Sequence, residues 1–191
     1  MGMTLTELQT KLAALSYYPA LFQKAFGSTT IDSNAIAKAL SQFLRSMVTY
    51  QSKYDRVKQG VENFTPDEGQ GEQLFLTAGA QTCAGCHAPP MFLTSSPLAP
   101  FALKDAADRG IDNQDRFKSG SLRNIGLRSR LFHNGSVSNV STMLGIAANG
   151  VPPIPNHTVA PQDAQKILVF LQTLSDPSVL TETKFSDPFK Q

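Results

Sequence analysis

Residues 81–90 read Gln-Thr-Cys-Ala-Gly-Cys-His-Ala-Pro-Pro and contain both cysteines of a 191-residue chain. Cys83 and Cys86 stand three positions apart, and His87, one of three histidines, follows at once. This Cys-x-x-Cys-His spacing fits covalent attachment of a c-type haem. Two thiols add across the two vinyl groups of one porphyrin, and two intervening residues let both reach the same ring edge. The next residue then brings an imidazole under the iron as its proximal ligand. Two other chemistries compete for the same residues. A redox-active or structural disulfide is one, although thioredoxin-type motifs accompany strand–helix–strand patterns that are missing here. A Cys2His2 zinc site is the other, with His133 and His157 as the second pair, spaced more widely than structural zinc sites usually are.

The rest of the chain is patterned as helices and irregular connections. Thr4-Leu5-Thr6-Glu7 is a capping-box signature with Leu5, Leu8, Leu12 and Leu15 on one face behind it. Residues 18–27 read as a short helix stopped by Gly27. A third helix carries Ile36, Leu40, Phe43, Leu44, Met47 and Val48 at helical spacing. Thr65-Pro66-Asp67-Glu68 opens a fourth, with an N-cap, a proline at the first helical position and acids against the positive end of the dipole. Periodicity then disappears from Ala88 to about Ser136, a span so long that something other than secondary structure must organise it. A flat apolar disc held at Cys83, Cys86 and His87 would supply that organisation. A helix is expected again from about Ser138 to Ala148, and another from Pro161 through Leu174. A strap over the surface follows. No alternating run supports a strand, so the class is all-α. The chain divides into a helical segment, 1–65, and a cytochrome-c-like domain with its strap, 66–191.

Composition excludes several partners. The net charge of +2 and the lack of any long Lys/Arg run argue against nucleic acid. Apolar runs are far short of a membrane span. No secretory signal opens the chain as given.

Four segments, in order, resemble the bacterial di-haem cytochrome c peroxidases and their MauG-like relatives, in the C-terminal haem half of those proteins. They are residues 21–56 (LFQKAFG through QSKYDR), residues 67–87 (DEGQGEQLFLTAGAQTCAGCH), residues 117–137 (FKSGSLRNIGLRSRLFHNGSV) and residues 167–176 (ILVFLQTLSD). The resemblance implies an all-α cytochrome-c-like fold with long loops around one haem c, bound through Cys83, Cys86 and His87. It implies an electron-transfer role, feeding a peroxidatic haem in an N-terminal domain that this chain lacks. A second haem is expected there. The opening Met-Gly-Met-Thr resembles the stretch that follows the family's acid/base glutamate, which would fall just before Met1. The chain is therefore read as half of a larger protein that reduces hydrogen peroxide or performs a related oxidation, with little peroxidase activity of its own. The implied partners are a small electron-donor protein of cytochrome c or cupredoxin type and the missing haem domain. The resemblance leaves room for a homodimer, and it implies a periplasmic location. A stand-alone mono-haem electron carrier is the alternative, and a zinc- or disulfide-stapled binding module is a third reading.

Other site residues follow from the same resemblance. Arg123, in Leu-Arg-Asn, would pair with a haem propionate or form a surface ion pair. Asn124 would tie down its loop. His133 would organise its loop by a hydrogen bond and is not read as an iron ligand, and His157 is read as a solvent-exposed loop residue. The family's calcium loop falls at Arg128 and Arg130, where two guanidiniums disfavour a dication; no calcium is expected. The family's sixth iron ligand falls at Ala147, which cannot bind iron. Met143 is the nearest thioether, roughly 6 Å earlier along a helix axis. It is either the sixth ligand or a core-packing side chain.

Overall fold

The computed structural model describes residues 2–77, 83–93, 99–100, 110, 113, 116–146 and 159–187. It divides into two compact units, Met1–Val48 and Thr49–Gln191. The division falls ahead of the boundary at 65/66 expected from the sequence, because Tyr54 and Phe64 pack in the core of the second unit.

Three helices build the first unit: α1 (Leu5–Ala13), α2 (Tyr17–Phe26) and α3 (Ser33–Ser46). The Thr4–Glu7 capping box forms as expected, and Gly27 ends α2 in the left-handed region at φ 73°. Asp32 caps α3 by accepting from the Ala35 amide. The buried core of this unit is small: Phe22, Ile31 and Ile36, with Leu8, Leu12, Tyr18 and Ala35 against it. Of the six apolar residues expected on one face at α3, only Ile36 is buried. Leu40, Phe43, Leu44, Met47 and Val48 are exposed.

The second unit is built on α5 (Pro66–Leu76) crossing α8 (Pro161–Gln172). Thr65 caps α5 with Pro66 at its first position, as the sequence predicts, and Glu68 completes a capping box. The crossing is close at Gly71, where a Cβ would stand 2.8 Å from the Phe170 Cβ and would overlap the Lys166 carbonyl. A short helix, α4 (Lys53–Lys58), joins the end of α8 through a Tyr54 N–H bond to the Thr173 carbonyl, 3.0 Å. Phe75, Phe92, Phe170 and Tyr54 form an aromatic centre; the Tyr54 and Phe92 rings meet edge-on at 4.9 Å.

The remainder of this unit is short elements and loops. They are α6 (Cys83–Cys86), a 3₁₀ turn at Ile125–Leu127, α7 (Val140–Met143), α9 (Ser178–Thr181) and a 3₁₀ turn at Thr183–Phe185. The strap expected after Ser175 thus carries its own helical turns. One antiparallel pair joins β1 (Ala99–Pro100) to β2 (Arg116–Phe117), too short to leave a pattern in the sequence. The helix expected over 138–148 is only one turn long. Gly145 adopts φ 76°, and the Ile146 and Gly145 amides bond back to Ser141 and Thr142 in a Schellman ending.

Candidate functional site

The haem-type motif occupies α6. Its turn is extended by the His87 N–H, which donates to the Cys83 carbonyl at 2.8 Å. Spacing of three along a helix puts Cys83 and Cys86 on one face. Both thiols are free rather than bridged. Cys83 is half-buried and, with Ala84, packs against the main core, whereas Cys86 is exposed. Burial pushes the Cys83 thiol above its usual pKa, with a smaller contribution from the adjacent Cys86. That is opposite to the lowered pKa of a redox-active Cys-x-x-Cys pair.

His87 is oriented by its own loop. Its Nδ1 lies 3.2 Å from the Phe92 carbonyl. A carbonyl only accepts, so Nδ1 carries the proton and the lone pair of the neutral ring sits on Nε2. A metal-ligating histidine needs this arrangement, in which a second acceptor fixes tautomer and ring plane. Two same-face thiols followed by an imidazole in this tautomer fit a covalently bound haem with Nε2 as the axial donor. Among the described residues, no group of three or more His, Cys, Asp or Glu could hold a metal ion. His157, which the zinc reading requires, lies outside the described residues.

Arg123 is nearly buried, and its fork is committed within the protein. Nη1 and Nη2 donate to the two Asp55 carboxylate oxygens at 2.8 Å each. Nε and Nη2 both donate to the Pro90 carbonyl, and Nη1 also reaches the Thr49 carbonyl. The guanidinium's donors meet a carboxylate and two carbonyls of the chain itself. This is not a surface ion pair, since both side chains are about nine-tenths buried. Burial opposes ionisation of Asp55, but hydrogen bonds from Arg123 and Ser52 outweigh it and hold the carboxyl below the usual carboxylate range.

Asn124 ties its loop to the end of α8, as expected. It sits in the left-handed region at φ 60°, which asparagine tolerates, and its side-chain oxygen accepts from the Asp176 N–H at 2.7 Å. Asp176 in turn accepts from the Gln51 and Ser178 amides. Further along, Arg128 donates to the Arg123 carbonyl and Arg130 to the Gly135 carbonyl. The His133 ring stacks on Phe117 with centroids 4.1 Å apart.

Met143 is 6% exposed and belongs to the same core against which Cys83 and Ala84 pack. It ends α7 just before the Gly145 stop. Ala147, the position read as the family's sixth-ligand site, lies outside the described residues. The structure thus brings Cys83 and Met143 to one core, leaves Cys86 exposed on the same short helix, and connects Arg123 to His87 through the 90–92 loop.

Sequence reasoning missed Asp55, Phe92 and Ser121. Asp55 carried a signal, because Ser52-Lys53-Tyr54-Asp55 has capping-box form and opens α4. Phe92 and Ser121 carried none: Phe92 acts through its own backbone carbonyl, and the Ser121 hydroxyl donates to the Met91 carbonyl.

Comparison with known proteins follows the same lines. The family described as di-haem cytochrome c peroxidase matches residues 1–63. Cytochrome c551 peroxidase of Nitrosomonas europaea is 31% identical over 180 residues, covering 86% of this chain and 51% of that protein. Methylamine utilization protein MauG of Methylorubrum extorquens is 26% identical over 200 residues, covering 95% of this chain and 56% of that protein. The chain therefore spans about half the length of these curated relatives. A solved MauG-like protein associated with microbial copper homeostasis superposes with a TM-score of 0.77 at 25% identity, over 97% of this chain and 66% of that one. By sequence, by fold and by the motif carried on α6, the chain is a member of the di-haem cytochrome c peroxidase and MauG-like family.

Proposed function

We propose that this chain is a haem c electron-transfer domain of a peroxidase-type oxidoreductase. Cys83 and Cys86 would hold one haem covalently, and His87 would supply a nitrogen to its iron. The observation that carries the reading is local: two same-face thiols on α6, and an imidazole whose Nδ1–H is directed at the Phe92 carbonyl. When bound, a haem supplies one-electron redox chemistry. The chain's own residues do the rest. Cys83 and Cys86 fix the ring edge, His87 offers Nε2, and the apolar wall of Phe75, Phe92 and Met143 belongs to the core beside Cys83. A buried apolar surround of this kind excludes water from a redox centre.

Electrons would arrive from a small cytochrome c or cupredoxin-type donor and leave for a peroxidatic haem in a partner domain outside these residues. The family's two haems against one Cys-x-x-Cys-His motif here support that division. Hydrogen peroxide would be reduced at that second haem. A periplasmic location goes with this reading, since haem c is attached in the periplasm; among the described residues no helix is long and apolar enough to cross a membrane. Met143 is the proposed sixth ligand, in competition with its packing role.

Mass spectrometry after expression with periplasmic haem maturation tests the reading. One haem per chain is expected, lost in Cys83→Ala/Cys86→Ala. A folded chain of unmodified mass would refute it. The haem-loaded chain alone should turn over peroxide poorly, since on this reading the peroxide site and its acid/base, a group typically worth about 10²–10⁴-fold, belong to the second haem. The near-infrared band of methionine–haem ligation, abolished by Met143→Ala, would establish Met143 as ligand; a high-spin spectrum unchanged by that substitution would leave it a core residue.

A further inference from the structure

Three consecutive carbonyls follow the haem motif, and a single tripeptide secures all three. The Pro90 carbonyl accepts from Arg123 Nε at 3.1 Å and from Nη2 at 2.9 Å. The Met91 carbonyl accepts from the Ser121 hydroxyl at 2.5 Å. The Phe92 carbonyl accepts from the Leu122 N–H at 3.1 Å, and it is the same oxygen that receives Nδ1–H of His87.

Phe92 adopts φ 53°. A bulky residue is strained in the left-handed region and stays there only where its surroundings over-determine it. Here the ring is fully buried against Tyr54, Phe75 and Phe170, while the carbonyl row is fastened from the 121–123 side. Released from that fastening, the backbone at Phe92 would relax toward a negative φ and turn its carbonyl away from His87. Arg123 is the strongest fastener, because it makes charge-assisted bonds to Pro90 and is itself fixed by both oxygens of Asp55. Asp55 is fixed in turn by the Ser52 hydroxyl and amide at the start of α4. The guanidinium also lies 6.0 Å from the centre of the Tyr54 ring, whose edge meets Phe92.

We propose that Arg123, anchored by Asp55, is a positioning residue for His87, holding the 90–92 loop so that the Phe92 carbonyl fixes the Nδ1–H tautomer and ring plane of the axial histidine. The inference rests on the haem reading above. A hydrogen bond from Nδ1–H makes an imidazole a stronger donor and favours ferric over ferrous iron. Loss of Arg123 or Asp55 therefore weakens the axial bond and raises the reduction potential.

The test uses the full chain matured with haem, in four forms: unsubstituted, Arg123→Lys, Asp55→Asn and Ile167→Val. Lysine keeps the charge but cannot span Asp55 and Pro90 together. Ile167→Val perturbs the α8 core without touching the carbonyl row. Spectropotentiometry and ferric electron paramagnetic resonance are the readouts. Arg123→Lys and Asp55→Asn should each favour the ferrous state by about tenfold relative to the unsubstituted chain and change the axial g-values. Ile167→Val should change neither. Haem-loaded Arg123→Lys and Asp55→Asn with unchanged potential and g-values would overturn the positioning role while leaving the haem reading intact. An equal shift in Ile167→Val would overturn it too, as a general consequence of destabilisation. A chain that takes up no haem would overturn both readings.

Discussion

The α5–α8 pair and the loop layer beside it are neighbours in one unit, yet they are fastened differently. The helix pair rests on apolar contact: Phe75, Ile167, Phe170 and Leu171 are buried, and Gly71 lets the backbones approach. The loop layer, residues 87–93 and 121–124, sends Phe92 and Leu122 into the same core but adds polar bonds to backbone carbonyls and amides, centred on Arg123, Asp55, Asn124 and Asp176. Irregular chain cannot satisfy its own backbone groups, so buried side chains must do it. Apolar packing spreads stability over many contacts, whereas the loop layer concentrates it in a few charged groups whose removal leaves partners stranded.

The largest effect should come from the helix pair. Phe170→Ala should cost about 4 kcal/mol, read from chemical denaturation, because it empties the centre of the aromatic cluster. A loss below about 1 kcal/mol would mean that α5 and α8 are not held as described. Next, Arg123→Ala should cost about 3 kcal/mol by leaving a buried Asp55 without its partner. Asp55→Ala/Arg123→Ala should then recover part of that loss. Additive losses in this cycle would show the pair to be uncoupled, erasing the contrast between the regions.

Gly71→Ala separates helix propensity from packing. Alanine favours an isolated helix by about 1 kcal/mol. Here its Cβ would press on the Lys166 carbonyl and Phe170, so a net loss of about 1–3 kcal/mol is expected. A gain in melting temperature would mean that the crossing is looser than a 2.8 Å approach to the Phe170 Cβ.

The smallest effect at neutral pH, and the sharpest division of the regions, should come from acid. Burial raises the Asp55 and Asp176 carboxyls, but hydrogen bonds from Arg123 and Ser52, and from Ser178 and Gln51, lower them further, for a net depression. A depressed folded pKa contributes stability above the unfolded value, about 3.9, and that contribution fades as pH falls through the folded value. Amide exchange at Leu122 and Asn124 should therefore accelerate below about pH 4 before exchange in α8 does. Simultaneous loss in both would put the two regions in a single cooperative unit.

Much of this was written locally. Thr65, Pro66 and Glu68 start α5 because a capping box closes over three residues and needs nothing beyond them. The Cys83, Cys86 and His87 triplet was legible for the same reason, since one turn of chain sets its geometry. Leu40, Phe43 and Leu44 show the limit of pattern reading: helical spacing predicted their shared face, but nothing in spacing says whether a face is covered, and it is exposed. The expected 138–148 helix failed at Gly145, whose left-handed φ outweighed a permissive sequence.

What the sequence determined by itself, then, is the set of interactions closing within about one turn: the caps, the helix stops, and two thiols and an imidazole poised for one ring. What only the tertiary structure decided is which distant groups meet. Asp55 and Arg123 are far apart in the chain, and nothing in their spacing says that the Arg123 fork meets that carboxylate and the Pro90 carbonyl. Gly71 reads as a weak point in a helix until Lys166 and Phe170 are placed against it. The physical reason is the same in both cases. Backbone carbonyls are identical at every position, so no residue type marks the one that will be bound, and only the folded chain selects it.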